Sequence, residues 1–314
     1  MTDGQQPMPE VAGVSHEFLS AGGLRMHVAV AGPEDGAPVL LLHGWPQHWW
    51  LWRNVMPALA DAGYRVYAPD LRGFGWSEAT PKFADYSKQN LASDIVALVD
   101  ALGIDQPIRL AGHDWGGWTG FLLCMRRPEL FDRFLALNIP PPWGDPGPFD
   151  LKSNLKTLAK LRYQLPLSTP GLSRWTQAGG GKQILYKGVT DGTTDRDAWK
   201  DGALKVFLDQ FQDPKRSRAT MMLYRRFLLT EMPKVANGTY VAGRLTVPTK
   251  LLFGMNDVAI SPDVILADHS KMADQLTVET VDDCGHFIVD ERPELVTEKM
   301  LDWFAAEAKQ ALKN

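Results

Sequence analysis

Ile108-Arg109-Leu110-Ala111-Gly112-His113-Asp114-Trp115-Gly116-Gly117 decides how this chain is read. The aliphatic run 108–111 has the length and composition of a strand covered on both faces. It breaks at Gly112, and a helical pattern runs from 117 to 126. A strand, a sharp turn and a helix, with glycine two places either side of a central residue, make a small-x-nucleophile-x-small elbow. Such a turn holds its central residue in strained backbone, and a side chain at either small position would strike the strand or the helix. The central residue here is Asp114, where the commoner elbow carries Ser. Asp is also a common helix cap, but the paired glycines between strand and helix favour the nucleophile. No other G-x-S-x-G or G-x-D-x-G occurs in the chain.

The residue type selects the reaction. A serine alkoxide attacking a saturated carbon would leave an ether that water cannot readily cleave. A carboxylate attacking the same carbon leaves an ester, which water can cleave. With a reference pKa of about 3.9, it also needs no base to activate it near neutral pH. Asp114 therefore points to an electrophilic sp³ carbon, in an epoxide or an alkyl halide, rather than to ordinary ester substrates.

Outward from the elbow, short apolar runs at 24–30, 39–42, 65–69, 134–137, 249–253 and 276–281 read as further strands. Helical patterns fill 54–62, 88–102 and a closing helix from Pro293, where Val296, Met300, Phe304 and Ala308 share one face. The alternation predicts an α/β fold with a mostly parallel sheet and helices on both faces. It stops at Pro140-Pro141-Pro142. Segments 151–163, 198–211 and 216–229 then read as helices, and 178–194, rich in Gly, Thr and Asp, as a loose stretch. The organisation expected is a catalytic domain from 1–140 and 241–314, with 1–13 a mobile tail, and an inserted helical cap from 141–240.

Composition narrows the class. The 314 residues are 45% hydrophobic with net charge -4, which suits a large core and offers no basic surface for nucleic acid. No apolar run approaches the roughly 18 residues that span a bilayer, and the polar start lacks the order of a signal peptide. The two cysteines, Cys124 and Cys284, build no disulfide framework and have no zinc-spaced neighbours. The reading is a cytoplasmic protein without metal or organic cofactor.

Two loop residues stand out beyond the elbow. His286 lies in Asp283-Cys284-Gly285-His286-Phe287, between the last strand and the last helix, and Asp257 follows the strand ending at Phe253. His16, His27, His48 and His269 lack such placement, while His43 and His113 are expected to bond within their own turns. The order nucleophile, acid, histidine resembles that of the α/β-hydrolases. The resemblance implies that His286 takes a proton from water and Asp257 orients its ring. It also implies an oxyanion hole from the main-chain N–H groups of Trp45, in His43-Gly44-Trp45-Pro46, and of Trp115.

Within that superfamily the chain resembles the epoxide hydrolases. The matching pieces are His43-Gly44-Trp45-Pro46 with Trp52-Arg53, Asp70-Leu71-Arg72-Gly73-Phe74-Gly75-Trp76-Ser77, the Asp114 elbow and Gly285-His286-Phe287. The resemblance implies a small-molecule epoxide and water as substrates. It also implies two cap tyrosines whose hydroxyls protonate the epoxide oxygen as the ring opens. Tyr163, in Arg162-Tyr163-Gln164-Leu165, and Tyr224, in Leu223-Tyr224-Arg225, match those positions; Tyr186 and Tyr240 compete. After Tyr163 the family keeps an aromatic where this chain has Pro166-Leu167. Trp45, Trp115 and Met221 are expected in an apolar pocket, within a cluster that includes Trp49, Trp50 and Trp118.

Two alternatives remain at this stage. A haloalkane dehalogenase uses the same nucleophile with nitrogen donors around the halide, for which Trp115 and the cap Trp175 are available. The fold also serves as a non-catalytic binder.

Overall fold

The computed structural model describes residues 6–143 and 163–306. Its centre is an eight-stranded sheet: β1 (Val14–Ala21), β2 (Leu24–Ala31), β3 (Ala37–Leu42), β4 (Tyr64–Pro69), β5 (Ile108–His113), β6 (Phe131–Leu137), β7 (Thr249–Gly254) and β8 (Leu276–Val281). The spatial order is β1-β2-β4-β3-β5-β6-β7-β8. Only β2 runs against its neighbours, so the sheet is mostly parallel, as expected. Residues 39–42, 110 and 111, and 134–137 are wholly buried, which is why these strands read as unbroken apolar runs.

Helices α1 (Met56–Asp61), α2 (Lys88–Ala101) and α3 (Trp115–Arg126) flank the sheet. The closing helix Pro293–Ala305 presents Val296, Met300 and Phe304 to the core, one turn apart as its sequence implied. Because β3 to β8 are parallel, the loops leaving their carboxyl ends converge on one edge, where open α/β sheets place ligands. The elbow, the His43-Gly44-Trp45 turn, Asp257 and His286 all lie on those loops.

Three readings need correction. The edge strand β1 went unseen because its pattern is half-exposed and polar on both faces, and it is paired only through the Gly22-Gly23 hairpin. The stretch 178–194 is not loose: Lys182–Asp191 is a helix, held by Leu185 and Val189, an i,i+4 pair whose side chains are buried. Its Gly188, Thr190 and Val189 are poor helix formers, so tertiary packing overrides propensity. Within 6–13 there is no helix or strand, yet Met8 and Val11 pack against the core, so this part of the tail is anchored.

Residues 163–240 are helical, with no strand. The expected helix 198–211 is broken by Gly202, at φ +74°, into a short 3₁₀ turn and Ala203–Asp209. The expected helix 216–229 runs as Pro214–Arg226 and then loosens into a π-turn, Phe227–Glu231. The expected helix 151–163 lies outside the described residues apart from Tyr163. Among the described residues no helix is long and apolar enough to cross a membrane.

Candidate active site

Asp114 sits at φ +49°, ψ -125°, a conformation that L-residues rarely hold and that marks the strained turn the elbow requires. A Cβ on Gly116 would lie 2.2 Å from the Leu42 carbonyl oxygen, so only glycine lets α3 start there. A Cβ on Gly44 would lie 2.4 Å from that of Asp114. The His43-Gly44-Trp45 turn thereby comes close enough for the Trp45 N–H to donate to Asp114 Oδ2 at 2.9 Å. The N–H of Trp115 also bonds this carboxylate. The peptide bond before Pro46 is cis.

Burial pushes the Asp114 pKa up to about 6, against the pull of His286 and of the two N–H donors. His286 donates from Nδ1 to Asp257 Oδ2 at 2.8 Å. Burial alone would depress the histidine, but the Asp257 charge and hydrogen bond outweigh it, and with Asp114 they raise its pKa to about 9. Asp257 also accepts from the main-chain N–H groups of Ala259 and Ile260 at 2.7 and 2.9 Å. The structure thus places the three residues in one cluster, with Nε2 as the histidine nitrogen left for proton transfer.

Both tyrosines reach this cluster from the helical segment. Tyr163, Tyr224, Asp114, His286 and Trp45 line one cavity of about 710 Å³. The Tyr163 and Tyr224 rings meet edge to face at 6.1 Å, and their side chains hydrogen-bond one another. Burial, with neighbouring acidic charge, holds both hydroxyls above the ordinary tyrosine pKa, so they keep their protons at neutral pH. Tyr163 still keeps 37% of its surface exposed. Tyr186 is exposed, and Tyr240 is turned to Trp118, whose Nε1 donates to its hydroxyl at 3.4 Å.

The rest of the cavity wall is mostly apolar, including Leu167, Leu185, Val189 and Phe287. Trp115 and Met221, expected in the pocket, do not line it. The Trp115 ring is packed against Trp118, Tyr224 and Phe227, while Met221 is half-buried against the core. Trp49 and Trp118 are plain core. Trp175, the cap donor a dehalogenase would want, is 47% exposed and also absent from the wall.

Several supporting residues escaped the sequence reading. Asn138, at the end of β6 with φ +45°, donates to Asp257 Oδ2 at 2.9 Å and to the Gly285 carbonyl at 3.1 Å. Its Oδ1 accepts from the Gly254 N–H. One side chain therefore ties the acid to the histidine loop. Glu291 accepts from the N–H groups of Gly285 and Phe287 on that loop, and from Thr194 and Asp195 of the helical segment. Gln210 donates to the Pro46 carbonyl and accepts from Gly75, bracing the turn that carries Trp45. His113 does not bond within its own turn: its ring donates to the His286 carbonyl at 2.8 Å. A polar residue straight after a strand end, like Asn138, was the only available signal. We expect Asn138→Ala to let Asp257 swing, lowering turnover about 10- to 100-fold without unfolding the chain. Steady-state rates alongside circular dichroism would check this.

A carboxylate at the elbow, a second carboxylate and a histidine together on the carboxyl edge of such a sheet are the arrangement expected of a hydrolase site. The family model of the alpha/beta hydrolase fold matches residues 37–293, and the chain belongs to that family. It is 30% identical over 297 residues to the AB hydrolase superfamily protein YfhM of Bacillus subtilis (strain 168), covering 93% of this chain and 98% of that protein. It is 29% identical over 297 residues to a soluble epoxide hydrolase of Corynebacterium sp. (strain C12), with coverage of 93% and 98%. The solved structure of epoxide hydrolase CorEH without ligand is similar at a TM-score of 0.77 and 27% identity, covering 93% of this chain and 99% of that one.

Proposed function

We propose that this protein is an epoxide hydrolase that opens apolar or aromatic epoxides through a covalent ester on Asp114. The observation that carries the reading is a buried carboxylate at the elbow, with Oδ2 held by the Trp45 N–H, sharing one cavity with His286 and two protonated tyrosines. The relatives named epoxide hydrolases support it at the level of the family.

In this mechanism Tyr163 and Tyr224 hold the epoxide oxygen from the helical segment, 141–240, which acts as a cap. Asp114 Oδ1 attacks a ring carbon, the carbon–oxygen bond opens, and a tyrosine proton passes to the leaving oxygen. The oxygen already held by Trp45 then becomes the carbonyl oxygen of the ester, so the oxyanion hole is filled before it is needed. Water adds to the ester carbonyl carbon and gives its proton to His286 Nε2, while Asp257 stabilises the imidazolium. Collapse of the tetrahedral adduct expels the diol, which takes the proton back from His286; Asp114 emerges as a carboxylic acid, and its proton is lost to solvent while the tyrosinate takes one up. The cavity volume suits a drug-sized apolar molecule.

With enzyme in excess in ¹⁸O-water, the first diol should carry an unlabelled oxygen from Asp114. Diol labelled in that first turnover would overturn the ester path. The same protein incubated with a chloroalkane should release no halide, since the wall offers no second indole donor from Trp175.

A further inference from the structure

Lys88 is a fully buried ammonium that the mechanism above does not use. It opens α2 in the catalytic half of the chain, yet its partners belong to the tyrosine helix. Its Nζ donates to the Leu223 carbonyl at 3.1 Å, the residue just before Tyr224, and lies 3.1 Å from Glu231 Oε2. Its main-chain N–H donates to Glu231 Oε1 at 2.9 Å. The ammonium also lies 4.2 Å from the centre of the Trp115 ring and 4.9 Å from that of Phe227. The Trp115 ring in turn meets the Tyr224 ring at 5.8 Å. One charge therefore touches the residue beside the nucleophile and both flanks of the ring-opening tyrosine.

The backbone at this point explains why a fixed charge matters. Three residues after Tyr224 the helix passes into the π-turn Phe227–Glu231, which changes the phase of its side chains. The π-turn keeps its own main-chain bond, from the Met232 N–H to the Phe227 carbonyl, and Glu231, its last residue, has both carboxylate oxygens on Lys88. Buried pairs add little net stability compared with apolar packing; their best-attested use is to fix register. Burial lowers the affinity of the lysine for its proton, and Glu231 opposes that change.

We infer that Lys88 and Glu231 are positioning residues that set the Tyr224 hydroxyl over Asp114, and so govern ring opening rather than ester hydrolysis. This inference rests on the epoxide hydrolase reading for its kinetic consequence, not for its geometric one. The test uses the double variant Lys88→Met with Glu231→Gln, which leaves no buried charge unpaired, and 3-fluorotyrosine placed at 224 in parent and variant. With the variant folded by thermal unfolding, its ¹⁹F resonance should shift or broaden. In single turnover with a terminal aryl epoxide, ester formation should slow about tenfold or more while ester hydrolysis stays within about twofold. An unmoved resonance, or equal slowing of both steps, overturns the inference. If the double variant does not fold, Glu231→Gln alone should move the resonance in the same sense, and an unmoved signal there overturns it equally. A parent that opens no epoxide while the resonance still moves would sink the proposed activity and leave the clamp standing.

Discussion

Asp114→Ala is expected to abolish turnover, by on the order of 10⁴-fold or more, because in the proposed mechanism it removes the atom that bonds to substrate. Intact-mass measurement of the variant with excess epoxide should show no adduct, and product assays no diol above background. The fold should survive the change. Asp114 is a charge buried in strained backbone, and such sites usually cost stability rather than supply it. A variant with parental Tm and no adduct therefore isolates chemistry from folding. Folded Asp114→Ala that still turns over would remove the nucleophile from this account.

The same residue sets an acid limit on the parent enzyme. In the proposed mechanism only the ionised carboxylate attacks, and burial raises its pKa to about 6. Ester formation should accordingly hold steady at neutral pH and fall about tenfold per pH unit below about 6, some two units earlier than for a free aspartate. Stopped-flow measurement of the first half-reaction against pH would show the limb.

What could be read from the sequence follows from how far apart the interacting residues lie. The elbow was legible because a tight turn dictates glycines within two residues of its central residue, and Gly116 meets backbone at 2.2 Å if given a Cβ. The parallel strands were legible because burial on both faces leaves a local run such as 39–42. β1 was not, since an edge strand with half-exposed faces has no such run. Nor was helix Lys182–Asp191, whose order comes from burial of Leu185 and Val189 rather than from propensity. Asn138, Glu291, Gln210 and Lys88 each act on a partner 97 to 164 residues away, as with Glu291 and Thr194 at 97 and Gln210 and Pro46 at 164. Periodicity carries no trace of such pairings. The tyrosines were found by likeness to a family pattern, and geometry shows only that both reach the cavity with Asp114.

His286→Gln is expected to divide the reaction in two. Ester formation should continue, so one equivalent of epoxide is consumed and the enzyme gains its mass, while turnover falls on the order of 10³- to 10⁴-fold. The reasoning lies in the charges. Burial would keep this histidine neutral, but Asp257 reverses that effect and Asp114 adds to it, for a pKa of about 9. In the free enzyme near neutral pH the imidazole is therefore protonated, facing an ionised Asp114, and cannot act as a base. Ester formation erases the Asp114 charge and with it one of the groups holding the proton. The affinity of His286 for its proton then falls, so the first step helps to create the base that the second one needs. The second half-reaction should thus rise with pH to a midpoint below about 9, on the opposite side of neutrality from the limb set by Asp114. A base-limited step with its midpoint at or above that value, or a His286→Gln variant that releases diol at the parental rate, would show that the water is activated by some other group.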